Sequence, residues 1–497
     1  MMRSPMTGVP AKSSLPLARQ VANLVRTSIQ TGQFRPGARV PSTRALSAEL
    51  GVSRNTVLEA YAQLLSEGYF ESRTGSGTFV TRTLRKVPSS ALTPPDRPRD
   101  QVLSHTGFRL VSAYASSFDV ELKPFTPGIP SLEPQLFDAW ATIAARQRRA
   151  LNPILLNYGD PLGFRPLREA IAAYIGPTRG ITCTPDQVIV TSSAQHGLAL
   201  STRLLLDPGD EVLLEDPGYS GARAAFLAAG ARIAPMSVSA HGWNIEDAIR
   251  RCPLARVVYV SPSHQYPLGV TMELSVRAQL LEWAERTNAW ILEDDYDAEF
   301  RHSGRSLPSL QGLDRSRRVI YVGTFSKVLF PALRIGYLVV PTDLIGHFSH
   351  ANAVCGHVSP TIDQAILAEF ISHGHFARHL RRLRRRYQHA RALLEKEAER
   401  LREWLTLSGA PIGMHVVGYL AAGLNDRDVS HRAAPAGLCV PPLAAFYGRD
   451  PVLSGVVLGF GHLTDEQIRD GMKRLIRVFR EINRRKRPYV DAGSGSS

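Results

Sequence analysis

Between Phe125 and about Ile482, short and nearly unbroken apolar runs alternate with stretches of helical periodicity, and that alternation leaves few folds open. The runs are Val188 to Thr191, Glu211 to Glu215, Val257 to Val260, Trp290 to Glu293, Val319 to Val322 and Ile335 to Val340. A strand that is apolar on nearly every residue has both faces covered, which is the condition of a sheet sandwiched between helices. The spacing predicts an α/β domain with a mostly parallel sheet over residues 119–485.

Residues 14–82 follow a different grammar. Leu17, Val21, Leu24, Val25 and Ile29 recur at helical spacing, and Gly32 follows where a terminating glycine belongs. Pro36-Gly37 turns the chain; Pro41-Ser42-Thr43 then leads into a helical run from Arg44 to Leu50, closed by Gly51. Ser53 starts a third helix, Arg54 to Ser66. Helix, short glycine-containing turn, helix is the pattern of a helix-turn-helix module. Two short strands, Gly68 to Arg73 and Gly77 to Thr81, flank Thr74-Gly75-Ser76 as a wing. Residues 1–100 hold 14 Lys and Arg against 6 Asp and Glu, an excess that favours a polyanionic partner. Arg54, at the start of the third helix, is placed to reach a guanine edge in a major groove. Arg44, Ser42 and Thr43 suit phosphates, and Arg73 with Gly75 and Gly77 lets the wing approach the backbone.

Residues 83–118 carry Pro88, Pro94, Pro95 and Pro98 among Arg and Ser, which predicts a solvated, partly extended linker. Residues 486–497 read as a flexible tail. The four cysteines, Cys183, Cys252, Cys355 and Cys439, show no C-x-x-C spacing, so neither a disulfide framework nor a metal site is expected. No run approaches the length of a membrane-spanning helix, and Met1 to Pro16 lacks the apolar core of a signal peptide. A cytoplasmic protein is expected.

Lys327 sits in Thr324-Phe325-Ser326-Lys327-Val328, directly after an apolar run, and Glu293-Asp294-Asp295-Tyr296-Asp297 ends another such run. An amine to condense with an aldehyde, an anion for a pyridinium nitrogen and hydroxyls for a phosphate are what pyridoxal 5'-phosphate requires. Thr324, Ser326 and Arg334 suit the phosphate, as do the backbone N–H groups where Ser192-Ser193-Ala194-Gln195 opens a helix. Asp294 or Asp295 can pair with the ring nitrogen, because alternation along a strand lets one of them face a pocket. Tyr296 suits the ring's phenolic oxygen and Tyr219 its face.

The string PGARVPSTRALSAELGVSRNTVLEAYAQLLSEGYFESRTGSGTFV resembles the winged helix of GntR-type bacterial regulators. The blocks LNYGDPLGFRPLREAIAAYI, VIVTSSAQHGL, DEVLLEDPGYSGAR, VYVSPSHQYPLGVTM, ILEDDYDAEFR and YVGTFSKVLFPALRIGYLVVP resemble fold-type I aminotransferases, in family order. Together they resemble the MocR group, in which the two are fused. The resemblance implies operator contacts from Arg44, Arg54, Thr56 and Gly77. It implies Lys327 as the cofactor lysine, Asp294 as the pyridine partner, Tyr296 as the ring-oxygen donor and Tyr219 as the stacking ring. Ala194, Gln195, Thr324, Ser326 and Arg334 match phosphate positions, and Tyr158 matches a tyrosine that reaches the partner subunit's cofactor, which implies a homodimer.

Two departures matter. Tyr266 stands before Pro267 where many aminotransferases have asparagine, and the late strand reads Val456-Val457-Leu458-Gly459-Phe460, with valine where an arginine clamps a substrate carboxylate. The expected function is a transcription regulator that binds operator DNA and senses pyridoxal phosphate or an amine reacting with it. The alternative is an active aminotransferase with a DNA-binding module, with Lys327 as general base. The arginine run Arg378 to Arg386 reads as a solvated helix face.

Overall fold

Two serines start the helices of the amino-terminal module. The structure, a computed structural model, describes residues 15–82, 103–113, 122–150, 152–301, 307–356, 359–408 and 413–486. The chain divides into two units, Met1–Val102 and Leu103–Ser497. In the first, α1 (Leu17–Gln30), α2 (Thr43–Leu50) and α3 (Arg54–Ser66) precede β1 (Phe70–Arg73) and β2 (Gly77–Val80), an antiparallel pair. Ser42 accepts from the Ala45 N–H at 3.2 Å and Ser53 from the Thr56 N–H at 3.1 Å, satisfying donors that a helix leaves bare at its start. Val21, Val25, Leu46, Val57, Leu64 and Val80 close one small core under the three helices and the wing.

In the second unit a mixed sheet of eight strands carries the site. Its members are β3 (Val188–Thr191), β4 (Glu211–Asp216), β5 (Arg232–Ser239), β6 (Gly242–Trp243), β7 (Val257–Val260), β8 (Trp290–Asp295), β9 (Val319–Thr324) and β10 (Gly336–Val339). Their order is β3-β10-β9-β8-β7-β4-β5-β6. The pairs β5-β4, β4-β7, β7-β8 and β8-β9 are parallel, while β10 runs antiparallel to both β3 and β9. Every residue of β3, β7, β8, β9 and β10 is buried, which is why these strands read as continuous apolar runs. A smaller antiparallel sheet joins β11 (Leu405–Leu407), β12 (His415–Leu420) and β13 (Gly455–Gly459).

The sheet sends several chain ends to one edge. The strands β4, β7, β8 and β9 point the same way, and β3, antiparallel to β10, agrees with them. Their carboxyl ends lead into Tyr219, His264 to Tyr266, Asp294 to Asp297, Thr324 to Lys327 and Ser193 to Gln195. Open α/β sheets bind ligands at that edge.

The stretch expected to be a partly extended linker, 83–118, holds a helix instead, His105–Ala113, which lies against the helix Ser220–Ala228. Its residues 83–102 and 114–118, the tail residues 487–497 and the amino-terminal residues 1–14 lie outside the described residues. The strand β5 is not expected from the sequence, since Pro235 within it argues against a ladder position. It pairs along its length with β4 but with β6 only at Val238 and Ser239, so the missing N–H of Pro235 interrupts no ladder.

Gly336 fixes how closely the phosphate-type turn approaches the sheet. It pairs with Thr191 and Thr324, and a Cβ there would stand 2.6 Å from the Ser193 carbonyl carbon and 2.8 Å from the Ala194 nitrogen. Backbone cannot yield as a flexible side chain does. Gly336→Ala is therefore expected to destabilise the large unit by about 1–3 kcal/mol, read as a lower urea midpoint; an unchanged midpoint counts against this packing.

Candidate functional site

Lys327 follows the carboxyl end of β9, and its Nζ donates to the Gly128 carbonyl at 2.9 Å. Gly128 has φ +76°, a left-handed conformation that favours glycine, and a Cβ on it would displace the same Nζ, 2.9 Å away. Burial disfavours the charged ammonium and lowers the lysine's proton affinity, while Asp297 and Asp294 oppose that shift. The amine is thus coupled electrostatically to two acids.

Alternation along β8 separates its carboxylates. Asp294 turns toward Lys327: its Oδ2 accepts from the Tyr259 hydroxyl at 2.8 Å, and burial pushes its carboxyl up to about 7 against that hydrogen bond. Asp295 turns to the opposite face, where it is ion-paired with Arg179 and accepts from the Tyr321 hydroxyl at 2.7 Å. Of the two candidates for a pyridine partner, Asp294 is the one that faces the lysine. Asp297, without an assigned role in the sequence, is fully buried and pushed up to about 8 by desolvation.

Tyrosines line the same side. The ring of Tyr296 lies 6.0 Å from that of Tyr266, which lies 6.2 Å from Tyr219, both edge-on. Tyr266 also packs edge-on against Phe446 at 5.3 Å and His415 at 5.2 Å. Gln195 donates to the Gly221 carbonyl at 2.8 Å, and a side chain on Gly221 would strike both Gln195 and the Tyr219 ring. Ala194 and Gln195 are the first residues of the helix Ala194–Leu205, where N–H groups lack partners within the helix. Thr324 ends β9, and its hydroxyl accepts from the Ser326 N–H at 3.2 Å. Arg334, exposed, has φ +52°, and its carbonyl accepts from Ser359. Tyr158 is 97 % exposed, away from any core of its own chain.

Among the described residues, Asp294 Oδ1, Ser326 Oγ and Gln195 Oε1 are buried with no hydrogen-bond partner. Orphaned buried polar atoms are uncommon. Here they belong to the residues expected to hold a ring nitrogen and a phosphate, beside a shielded amine, so the donor and acceptor set fits pyridoxal phosphate. Val457, by contrast, is fully buried in an apolar cluster with Val417, Leu268 and Leu443.

In the amino-terminal unit, Arg44 and Arg54 are exposed in the first turns of α2 and α3. Thr56 is half-buried, its hydroxyl 2.8 Å from that of Ser53. Arg73 pairs with Glu71 at 2.6 Å and lies 4.6 Å above the Phe79 ring, which holds it on the wing. Gly77 pairs with Arg73 across the wing and leaves room for the Arg39 guanidinium.

The residues that sequence reasoning left without a role are Gly128, Tyr259, His264, Asp297 and His415. Asp297 lies inside the acidic cluster and His264 beside Tyr266; Gly128, Tyr259 and His415 carry no local signal because they reach the site from distant elements. A further group, His264, Asp297 and His415, offers ligand-type atoms within 4.8 Å of one another. Among the described residues no helix is long and apolar enough to cross a membrane.

Comparison with known proteins agrees with both halves. The family described as aminotransferase class I and II matches residues 128–428, and bacterial regulatory proteins, gntR family, match residues 17–80. The probable rhizopine catabolism regulatory protein MocR of Rhizobium meliloti is 39% identical over 94% of each chain. The pyridoxine biosynthesis transcriptional regulator PdxR of Corynebacterium glutamicum is 30% identical over 90% of this chain and 93% of its own. Among solved structures, the α-aminoadipate aminotransferase LysN of Thermus thermophilus, complexed with N-(5'-phosphopyridoxyl)-L-leucine, aligns with a TM-score of 0.67 at 28% identity. That alignment covers 77% of this chain and 96% of LysN.

The raised carboxyls set a pH dependence. A carboxyl whose value is higher folded than unfolded holds an extra proton in the folded chain between the two values, so stability falls as pH rises across that window. For Asp294 the window runs from the ordinary value of 3.8 to about 7. Asp294→Asn in cofactor-free protein is expected to flatten the decline of melting temperature between those limits; a decline as steep as wild type's contradicts the burial argument.

Proposed function

Because the chain belongs to the MocR-type regulators of the GntR family and is on that ground a pyridoxal phosphate-dependent transcription regulator, we propose that its large domain senses pyridoxal phosphate or an amine that reacts with it. The observation that carries this reading is the set of buried atoms without partners on Asp294, Ser326 and Gln195, together with a Lys327 amine that is coupled electrostatically to Asp294 and Asp297. Pyridoxal phosphate supplies an aldehyde that captures amines and a ring that withdraws electrons.

In this reading Lys327 is the attachment point and Asp294 holds the ring nitrogen, with Tyr259 fixing the carboxylate. Tyr296 donates to the ring oxygen and Tyr219 covers a ring face, while Ala194, Gln195, Thr324, Ser326 and Arg334 hold the phosphate. Tyr158, exposed beside Leu156, which is itself 65 % exposed, reaches the cofactor of a second subunit in a homodimer. Whether Lys327 is tethered or free alters the charge beside Asp297 and Asp294. A ligand that favours one condition shifts the protein between arrangements only through such a difference.

Val457 shapes the ligand class. A carboxylate brought into a pocket without a bidentate cation costs several kcal/mol, so amines lacking an α-carboxylate, or the cofactor alone, suit this site better than ordinary amino acids. Steady-state transamination of amino acids slower than about 1 per second is expected; faster turnover favours the aminotransferase reading. Operator DNA as partner fits work in the cytoplasm.

Two measurements test the assignment. After reconstitution, wild type is expected to show the near-ultraviolet or visible band of lysine-bound cofactor and Lys327→Ala to lack it; a colourless wild type overturns the sensing reading. On a footprinted operator, Arg54→Ala is expected to weaken binding by about 1–3 kcal/mol and to relax base preference at one position, whereas Arg44→Ala weakens binding evenly across sequences. Equal binding by Arg54→Ala and wild type contradicts the groove assignment.

A further inference from the structure

Beside the proposed cofactor residues lies a second polar assembly. His264, which follows β7, places Nδ1 at 2.9 Å from both carboxylate oxygens of Asp297 and at 3.1 Å from the Tyr296 hydroxyl. Its ring is stacked with that of Tyr296 at 5.9 Å. His415, from β12, lies 4.9 Å away ring to ring, with Nε2 at 3.2 Å from the Pro267 carbonyl. His264 and His415 are each 2 % exposed and Asp297 is wholly buried. Gly413 makes the arrangement possible, because a Cβ there would collide with the His264 ring and come within 2.7 Å of Asp297 Oδ2. The pocket side of the assembly is Tyr296, half-buried, next to Tyr266.

One nitrogen therefore serves two groups, a carboxylate and a hydroxyl, that want different things from it. A neutral imidazole has a single N–H. If it lies on Nδ1 it goes to the Asp297 carboxylate, and the Tyr296 hydroxyl, unable to donate to that nitrogen, turns its own proton toward the pocket. If Asp297 is protonated and the imidazole N–H lies on Nε2, Nδ1 becomes an acceptor toward which the Tyr296 hydroxyl can turn. We propose that His264, gripped by Asp297, is a positioning residue that decides whether the Tyr296 hydroxyl offers its proton to the pocket or to the ring nitrogen.

The electrostatics agree with this geometry. Burial and the cations of Arg391 and Arg301 push His264 down to about 3, so it stays neutral and keeps one N–H. Burial holds Asp297 up to about 8, opposed by His415, Lys327 and Arg179 and reinforced by Asp295, which puts its ionisation near neutral pH. Burial raises the Tyr296 phenol, and Asp297, Tyr266, Asp294 and Glu215 raise it further, so the hydroxyl keeps its proton and only its direction changes. The charge on Lys327 bears on Asp297 as well, so the direction of the Tyr296 proton answers to the condition of the lysine.

This inference rests on the reading that Lys327 and Tyr296 meet the cofactor, and the test separates the two. The absorbance of bound pyridoxal phosphate is followed against pH in the full-length wild type, His264→Asn, His264→Phe and Asp297→Asn, and again with each on a Tyr296→Phe background. His264→Phe and Asp297→Asn are expected to move the spectral midpoint by about one pH unit. His264→Asn, whose amide N–H stands in for Nδ1–H, is expected to stay nearer wild type. On the Tyr296→Phe background none of them is expected to move it further. Identical midpoints in wild type and His264→Phe overturn the inference, as does a shift that persists without the tyrosine hydroxyl. Should His264→Phe fail to fold, Asp297→Asn carries the test: it must shift the midpoint in wild type and leave that of Tyr296→Phe unmoved. A wild type that takes up no cofactor removes the underlying reading and this one with it.

Discussion

A lysine amine desolvated by the protein and coupled electrostatically to two acids is the constraint around which the proposed site is organised. Each member is costly alone: burial strips the ammonium of Lys327 of its hydration and pushes Asp294 and Asp297 toward their neutral forms. Their mutual attraction offsets part of that cost, and the remainder is left for a ligand that brings its own charges. The strand β8 shows how the sheet manages this. Glu293 accepts from the Leu310 and Gln311 N–H groups, Asp295 is paired with Arg179, and only Asp294, between them, turns to the lysine. Period-two alternation thus anchors the strand through two acids on one face and presents the third on the other.

The same logic bears on the proposal that the pocket favours amines without an α-carboxylate. Tyr266 packs against Phe446 and His415, at the position where the sequence departs from the asparagine of many aminotransferases. Val457 lies in a cluster of apolar side chains. Both changes exchange directional polar contacts for shape and apolar area, which weakens discrimination by charge and favours recognition by fit. The polar capacity that remains is concentrated in Lys327, Asp294, Tyr296 and the His264–Asp297 pair, close to where an amine would react.

Much of this is legible in the sequence because strands buried on both faces and capped helices leave local signatures. The apolar runs from Val188 to Val340 match β3, β4, β7, β8, β9 and β10 closely, and Ser42 and Ser53 cap the helices they are expected to start. What escapes a reading of the sequence depends on tertiary context. Pro235 hides β5, whose outer side is largely unpaired, and the helix His105–Ala113 lies downstream of a proline-rich stretch that suggests none. The choice between Asp294 and Asp295 needs the partners on each face, Arg179 and Tyr321 on one and Lys327 on the other. Gly128 and His415 reach Lys327 and His264 from elements far away in sequence, and no local pattern announces a residue whose only role is to stand opposite another.

The physical demands on a sensor differ from those on a transaminase, and the differences fall where this chain departs from aminotransferases. An enzyme must bind the transition state more tightly than the substrate and release product, whereas a sensor must hold its ligand and transmit that occupancy. Removing the carboxylate-binding arginine takes away uniform binding of amino acids without touching Lys327, Asp294 or Tyr296. In the proposed reading, retaining those three keeps the covalent chemistry that distinguishes an amine from other small molecules. In the proposed sensing role, a site changed at Val457 and Tyr266 while Lys327, Asp294 and Tyr296 are kept would give up general turnover and keep selective capture, the property a DNA-binding partner domain can use.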